Sequence, residues 1–191
     1  MKKLKNEMSN WQIALLANET IEWLVMTLVQ YERFKTVYEN HTYQMTKGET
    51  QHGIYLPEKM LLIHSIYHFF EGMYNLSDQI SKKHDTLPTD LIGFVPDEKY
   101  AKKLTNLRNM NEHKYEYVTG NGHRKNEFSY DIDAEGFRVH TNALISFGLI
   151  DKDKTWLGDI EITDLVGRIR DGKEKALKCL EEIMLKYAIM D

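Results

Sequence analysis

The sequence has little cysteine, proline or glycine, and each scarcity excludes a class of protein. A single cysteine, Cys179, among 191 residues excludes a disulfide framework and a thiolate zinc site within one chain. Three prolines and 11 glycines argue against a loop-rich or repeat-rich β fold. Positive charge is also scarce, because 25 basic residues against 29 acidic ones give a net charge of −4. That is the wrong sign for a protein that coats nucleic acid by bulk charge.

The N-terminal region lacks a hydrophobic run long enough to be read as a membrane span. Three of its first five residues are lysines, but the apolar stretch that follows is interrupted by Asn18, Glu19, Thr20 and Glu22. No uninterrupted run approaches the ~20 residues that a span needs, and no small-residue cleavage site follows a clean apolar segment. We therefore expect a cytoplasmic protein with no membrane partner, which agrees with the single thiol.

Four segments carry the periodicity and the end signals of helices. Ser9 and Gln12 have capping-box spacing at the start of the first segment. Pro57 and Pro96, each followed by acidic residues, open the second and third segments. We expect the helices at about 10–40, 56–84, 96–120 and 163–188, with a loop at 41–55.

Between the third and the last predicted helix, the hydrophobic period changes to that of a strand. Residues 128–132 and 137–140 alternate on either side of a turn at 133–136, which predicts a β-hairpin. We expect segments 143–149 and 156–162 to extend this hairpin. The sequence therefore predicts one mainly α domain over residues 1–191, a four-helix-bundle-like core (about 10–120 and 163–188) with a small β-hairpin or sheet insertion at about 126–162 before the last helix.

The sharpest local signal is Arg108-Asn109-Met110-Asn111-Glu112-His113, in the third predicted helix. An arginine and a histidine are separated by four residues, and a polar amide follows the arginine. The segment resembles the RxxxxH motif of HEPN domains, a superfamily of helical nucleotide-binding domains. In this resemblance, Arg108 and His113 match the ends of the motif, and Asn109 matches the polar position that commonly follows the arginine.

The resemblance carries expectations about fold, activity and partners, and it covers the helical part of the chain. Many HEPN proteins are metal-independent endoribonucleases that act as toxins or in antiviral defence, and they typically form homodimers whose motifs meet across a helical interface. The resemblance therefore implies RNA as substrate, no cofactor, a homodimer, and an antitoxin or regulatory protein as a further partner. Some members bind without cutting, so a non-catalytic module for nucleic acid, nucleotide or protein is an alternative.

The residue types of the motif suit this chemistry. Cleaving RNA without a metal requires deprotonation of a 2′-hydroxyl, stabilisation of a charged phosphorane and protonation of the leaving oxygen. A histidine, with its ordinary pKa near ~6.5, can move protons near neutral pH. A guanidinium can hold two phosphate oxygens, and an amide can hydrogen-bond a phosphate or orient the imidazole. We therefore assign Arg108, Asn109 and His113 as candidate catalytic residues.

Helix geometry refines this assignment. Arg108 and His113 are five positions apart, about 140° round an ideal helix, so they do not share a face. Asn109 and His113 do share one, and it points away from the apolar stripe. We therefore expect His113 to be exposed unless a second subunit covers it. A simpler interpretation of the segment is an i, i+4 ion pair between Arg108 and Glu112.

Charge is distributed unevenly around the motif. Residues 99–125 contain seven basic and two acidic side chains, a net charge of +5, so the rest of the chain carries −9. A local basic surface of this kind is what a phosphate-binding cleft needs. We expect the phosphate-binding side chains to be Lys102, Lys103, Lys114 and Arg124.

The polar face of the second predicted helix is a further candidate site. His64, His68 and Glu71 recur at i, i+4 and i+7. Two histidines one turn apart with a carboxylate can ligate a metal, as in helical bundles of the DinB type, which makes a metal-binding bundle an alternative function. The simpler interpretation is the polar face of an amphipathic helix. A third is that this face lines the same cleft as Arg108.

Overall fold

The computed structural model describes residues 1, 4, 6–46, 55–113, 130–134, 137–141, 148–151, 154–157 and 160–190. The fold over these residues is mainly helical, with small antiparallel sheets before the last helix, as the sequence predicts. The helices are α1 (Asn10–Thr46), α2 (Tyr55–Lys82), α3 (Thr89–Ile92), α4 (Glu98–Glu112) and α5 (Thr163–Ile189). The strands are β1 (Tyr130–Ala134), β2 (Phe137–Thr141), β3 (Gly148–Asp151), β4 (Lys154–Leu157) and β5 (Ile160–Glu161).

Hydrogen bonds confirm two of the predicted helix starts, those of α1 and α4, although Pro96 precedes the N-cap Asp97 and is not the first residue of α4. At the start of α1, the Ser9 N–H donates to Gln12 Oε1 at 2.9 Å, and the Gln12 N–H donates to Ser9 Oγ at 3.2 Å. This reciprocal pair is a capping box. At the start of α4, Asp97 Oδ1 accepts a hydrogen bond from the Tyr100 N–H at 2.7 Å. Both starts are specified by local sequence, which is why they could be predicted.

The predicted helix ends are less accurate. α1 continues to Thr46, so the loop expected from residue 41 is wrong for residues 41–46. α4 ends at Glu112, with His113 as its C-cap, which is earlier than the expected end at the glycines 120–122. Those glycines lie outside the described residues. The short helix α3 was not predicted, because its four residues are too few to show a period.

α2 ends in a motif that sets its last turn. The Asp85 N–H donates to the Ile80 carbonyl at 3.1 Å, and the His84 N–H donates to the Ser81 carbonyl at 3.0 Å. These two bonds define a Schellman motif. His84 occupies its left-handed position with a φ of 57°, a conformation that costs a non-glycine residue free energy.

The core is organised around α1. One flank of α1 packs along α2 and another along α5, while α4 packs against α2. The largest fully buried side chains include Phe34 of α1 and Phe69 of α2. The two helices approach closely at Gly72, where an added Cβ would lie 2.3 Å from Thr20 Oγ1. Only glycine fits at this crossing without displacing the side chain of Thr20.

The β insertion is a hairpin followed by a three-stranded meander. β1 and β2 pair antiparallel from Tyr130↔Thr141 to Ala134↔Phe137, which confirms the predicted hairpin. β3, β4 and β5 form a second sheet in sequence order, separate from the hairpin, so the expected extension of the hairpin by segments 143–149 and 156–162 is wrong for the described residues. This sheet joins the helical core, because Leu157 and Ile160 are buried in it and Thr155 Oγ1 lies 3.1 Å from Tyr31 Oη of α1.

α1 is long and apolar enough over Asn10–Asn40 to cross a membrane, with a mean hydropathy of 1.2. Among the described residues, it is the one helix of which this is true. A core helix of a soluble protein can be equally long and apolar. α1 buries the polar side chains Thr20, Thr27 and Gln30 against the rest of the protein, which fits a core helix.

Candidate functional site

α2 and α4 place polar and aromatic side chains opposite one another. We call this region the α2–α4 cleft, and its side chains are Trp23 from α1, His64, Tyr67, His68 and Glu71 from α2, and Arg108, Asn109 and Glu112 from α4. The spacing of the α2 residues brings them to one side of the helix. The interpretation in which His64 and His68 share a cleft with Arg108 is therefore the one that the geometry favours.

Arg108 is the most highly connected cation in the cleft. Its Nη2 lies 2.8 Å from Glu112 Oε1, and its Nη1 donates to Asn109 Oδ1 at 3.4 Å. Its guanidinium carbon lies 5.2 Å from the centroid of the Tyr67 ring, within cation–π range. Its Nε is buried and has no hydrogen-bond partner within the part of the chain that the structure describes. The i, i+4 ion pair suggested by the sequence is thus present, and the Nε–H of the guanidinium has no acceptor among the described residues.

His64 faces Arg108 across the carboxylate of Glu112. Its Nε2 lies 4.0 Å from Glu112 Oε1, and its ring centroid is 6.0 Å from that of His68. Burial lowers the pKa of His64 below its ordinary value, and the nearby His68 and Arg108 add to this, while Glu112 opposes it. His64 is therefore predominantly neutral at neutral pH, which leaves a ring nitrogen able to accept a proton.

His68 and Tyr67 converge on Glu71. The Tyr67 hydroxyl donates to Glu71 Oε1 at 2.8 Å, and His68 Nδ1 lies 3.4 Å from Glu71 Oε2. The bond from His68 is the main reason that the pKa of Glu71 is lowered. Burial, followed by the bond to Glu71, raises the pKa of Tyr67 to about 12. The ring of His68 also stacks on Trp23 at a centroid distance of 4.7 Å.

These contacts bear on the alternative metal site at His64, His68 and Glu71. Among the described residues, no group of three or more His, Cys, Asp or Glu side chains is arranged to hold a metal ion. His68 is already engaged by Glu71 on one edge and by Trp23 on one face. The geometry therefore favours a polar cleft over a metal centre.

His113, the second end of the motif, lies just beyond α4. It is exposed, as expected, and its backbone N–H donates to the Asn109 carbonyl at 2.9 Å. It has left helical geometry, with a φ of −106° and a ψ of 21°. Its bond to Asn109 is nevertheless the i→i−4 bond of a helix, so the Cα of His113 still lies on the helical path. The sequence could not reveal this early helix end, because no glycine or proline marks it.

The basic residues expected to bind phosphate fall in separate places. Lys102 lines a cavity of about 310 Å³ that also includes Thr105 and Asn106. Lys103 lines a second cavity, of about 240 Å³, between α4 and β5. Thr105 also lies close enough to Tyr67 to oppose the rise in the pKa of its hydroxyl, so the Lys102 cavity adjoins the α2–α4 cleft. Lys114 and Arg124 lie outside the described residues.

Sequence reasoning missed two contributors to the cleft. Trp23 gave no signal, because its stacking on His68 joins residues that are far apart in sequence. Tyr67 belongs to no motif in the sequence, and only its position one residue before His68 places it beside the cleft. Comparison of the chain with known protein families, curated proteins and solved structures finds no match. A functional proposal must therefore come from the chemistry of the cleft.

Proposed function

We propose that the protein is a HEPN-like, metal-independent endoribonuclease, acting as a toxin or in phage defence, that cuts RNA at the α2–α4 cleft. One observation carries the proposal. The guanidinium of Arg108, which can bind phosphate, shares the carboxylate of Glu112 with the neutral imidazole of His64, which can accept a proton. The resemblance of Arg108, Asn109 and His113 to the RxxxxH motif adds independent support.

The proposed reaction needs only the nucleophile that RNA itself provides. A base removes the proton of a 2′-hydroxyl, the 2′-oxygen forms a bond to the adjacent phosphorus, and the bond to the 5′-oxygen breaks. The products are a 2′,3′-cyclic phosphate and a 5′-hydroxyl, whose proton comes from an acid. His64 suits the base, because burial keeps it neutral. His113, exposed at the end of α4, suits the acid that protonates the leaving oxygen.

Arg108 would stabilise the charge that develops on phosphorus. At present it pairs with Glu112, and phosphate oxygens would have to replace or share this partner. The buried Nε without a partner among the described residues lowers the cost of that exchange, because an unsatisfied N–H already forgoes about 1–3 kcal/mol. Asn109, which accepts a bond from Nη1, would guide the guanidinium as it moves.

A second candidate is a non-catalytic module that binds a nucleic acid, a nucleotide or a protein. The observation that favours it is the short Arg108–Glu112 contact, which neutralises the cation and occupies one edge of the guanidinium. In this function, Glu112 would compete with phosphate for the guanidinium of Arg108. Replacing Glu112 by glutamine would then strengthen RNA binding without producing any cleavage.

The test is cleavage of labelled single-stranded RNA in the presence of EDTA. We expect Arg108→Ala, His113→Ala and His64→Gln each to slow cleavage by about 100-fold or more. The matched control is Arg170→Ala, which removes an arginine that pairs with Glu32 on the surface, away from the cleft. Its rate should equal that of the wild type.

The products and the pattern of loss decide between the candidates. A 2′,3′-cyclic phosphate end that forms in EDTA and is lost in Arg108→Ala, His113→Ala and His64→Gln would support the endoribonuclease. Cutting that persists in Arg108→Ala would point to a contaminating nuclease. If the wild type binds RNA without cutting any of a varied set, and Glu112→Gln binds more tightly, the binding module is the better description.

A further inference from the structure

The outer face of α1 carries an exposed apolar stripe. Side chains on the opposite side of the helix, such as Ile13, Ala17 and Leu24, are fully buried in the core. On the outer side, the exposed fractions are 54% for Trp11, 46% for Leu15, 37% for Val25, 42% for Met26 and 47% for Val29. At 100° per residue, these five side chains lie within about 60° of one line along the helix. We call them, with Asn18 and Glu22 between them, the α1 stripe.

Apart from Met26, the α1 stripe is symmetric about its own centre. Counting outward from position 20, Trp11 mirrors Val29, Leu15 mirrors Val25 and Asn18 mirrors Glu22. The apolar pairs therefore occupy the two ends, and a polar pair occupies the middle. In the single chain, the Asn18 amide donates to Glu22 Oε1 at 3.1 Å. An amide donor and a carboxylate acceptor are complementary, so the centre of the stripe can bind a copy of itself.

We propose that the α1 stripe is a homodimer interface in which α1 packs antiparallel on α1 of a second copy of this chain. In a twofold interface, residue i of one copy meets residue j of the other, and j meets i. Here Trp11 meets Val29, Leu15 meets Val25, and Asn18 meets Glu22 of the second copy. This interface contains neither Arg108 nor His113, so it differs from the shared-site dimer that the HEPN resemblance implies.

The charges on α1 favour a second copy over a lipid surface. Helices that lie on membranes carry lysine and arginine beside their apolar face, because these attract anionic lipids. Residues 10–32 contain no lysine or arginine and carry three glutamates, at positions 19, 22 and 32. A carboxylate at the middle of the stripe would be costly against lipid, but it has a matching amide in the antiparallel pair.

The surroundings of the stripe extend the contact. The stripe alone is about 27 Å long and one helix face wide, whereas a standard interface buries roughly 800 Å² per partner. Asn10 hydrogen-bonds to the Met190 carbonyl, which places the exposed Ile189 and Met190 beside the start of α1. Arg33, in the C-terminal half of α1, pairs with Glu58 of α2. This pair places the exposed Met60 and Leu61 near that half of α1. Antiparallel pairing brings these two apolar ends together, one from each copy.

The test is a pair of opposite charges introduced at mirrored positions. Leu15→Glu and Val25→Lys each place a charge against an apolar residue of the other copy. We expect each variant alone to dimerise more than about tenfold less tightly than the wild type. Mixed in equal amounts, the two variants bring a carboxylate opposite an ammonium, and we expect a heterodimer to form. Sedimentation velocity from about 1 to 200 µM would measure all three samples.

The controls and the other outcomes are equally specific. Ile92→Glu, at a 57% exposed apolar residue on α3, should dimerise like the wild type. Circular dichroism would confirm that each variant is folded. A wild type that stays monomeric over the whole range would overturn the proposal, as would a dimer that both single variants leave intact. A monomer that binds anionic vesicles through Leu15 and Val25 would assign the stripe to lipid instead.

Discussion

The guanidinium of Arg108 lies over the ring of Tyr67, with its central carbon 5.2 Å from the ring centroid. The hydroxyl of the same ring donates to Glu71. Tyr67 of α2 therefore contacts Arg108 of α4 with the face of its ring and Glu71 of α2 with its hydroxyl. This link makes the orientation of Arg108 depend on Tyr67.

The two roles of Tyr67 can be separated by substitution. Tyr67→Phe removes the bond to Glu71 and should cost about 1–2 kcal/mol in unfolding free energy, measured by urea denaturation. Tyr67→Leu also removes the ring and should couple to Arg108→Ala by about 0.5–1 kcal/mol in a double-mutant cycle. Tyr67→Phe should show no such coupling, because the ring remains. Equal coupling for both variants would refute the cation–π contact.

The titration of His64 should move in opposite directions in two variants. Glu112 raises the pKa of His64, and Arg108 lowers it. In Glu112→Gln, His64 should therefore titrate at lower pH than in the wild type, and in Arg108→Ala at higher pH. Ring signals in NMR spectra, assigned with His64→Gln, would measure both shifts. Glu32→Gln, which alters the surface pair with Arg170, serves as the control and should leave His64 unchanged.

The lowered pKa of His64 in the wild type makes the stability of the fold depend on pH. Because the pKa of His64 is lower in the folded chain than its ordinary value of 6.5, the unfolded chain binds more protons between these two values. Stability should fall as the pH drops from about 6.5 through the folded pKa. In His64→Gln this part of the pH dependence should be absent. A wild type and a variant with parallel stability curves between pH 7 and pH 5 would contradict the assignment.

The features predicted correctly from the sequence are those that local rules specify. Ser9 and Gln12 lie three positions apart, and that spacing alone fixes the start of α1. The shared polar side of His64, His68 and Glu71 follows from helical period alone. The stacking of Trp23 on His68 joins α1 to α2, and no local pattern reports a contact over such a separation. The end of α4 at Glu112 was missed because His113 is not a residue type that favours a helix stop.

Of the glycines whose surroundings the structure describes, Gly72 should be the one at which an alanine substitution destabilises the fold most. Gly72→Ala places a methyl group against Thr20 Oγ1, and we expect a loss of about 1–3 kcal/mol in unfolding free energy. Gly167→Ala, in α5, has nothing within 4 Å of the added Cβ and should gain about 0.4–1 kcal/mol. Combining Thr20→Ala with Gly72→Ala should recover part of the loss. Denaturant unfolding of the four proteins would check this, and a neutral Gly72→Ala would show that the helices can separate freely.

His84 offers a stabilising substitution. Its φ of 57° is unfavourable for a side chain with a Cβ, and glycine adopts this conformation without that penalty. We expect His84→Gly to raise the unfolding free energy by about 0.5–1 kcal/mol, which a thermal or urea melt would detect. His84→Ala keeps the Cβ and should show no gain. Equal effects of the two substitutions would mean that the backbone strain at this position is negligible.

The packing of α1 between α2 and α5 has a consequence for synthesis. The flank of α1 that α2 covers finds its partner early, because α2 follows α1 closely in the chain. The other flank must wait for α5, which begins at Thr163, whereas α1 ends at Thr46. At 5–20 residues per second, a ribosome needs roughly 6 to 23 s to make the intervening segment. During that interval the nascent chain exposes apolar surface of α1, so the order of its helices sets the period in which it is vulnerable to aggregation.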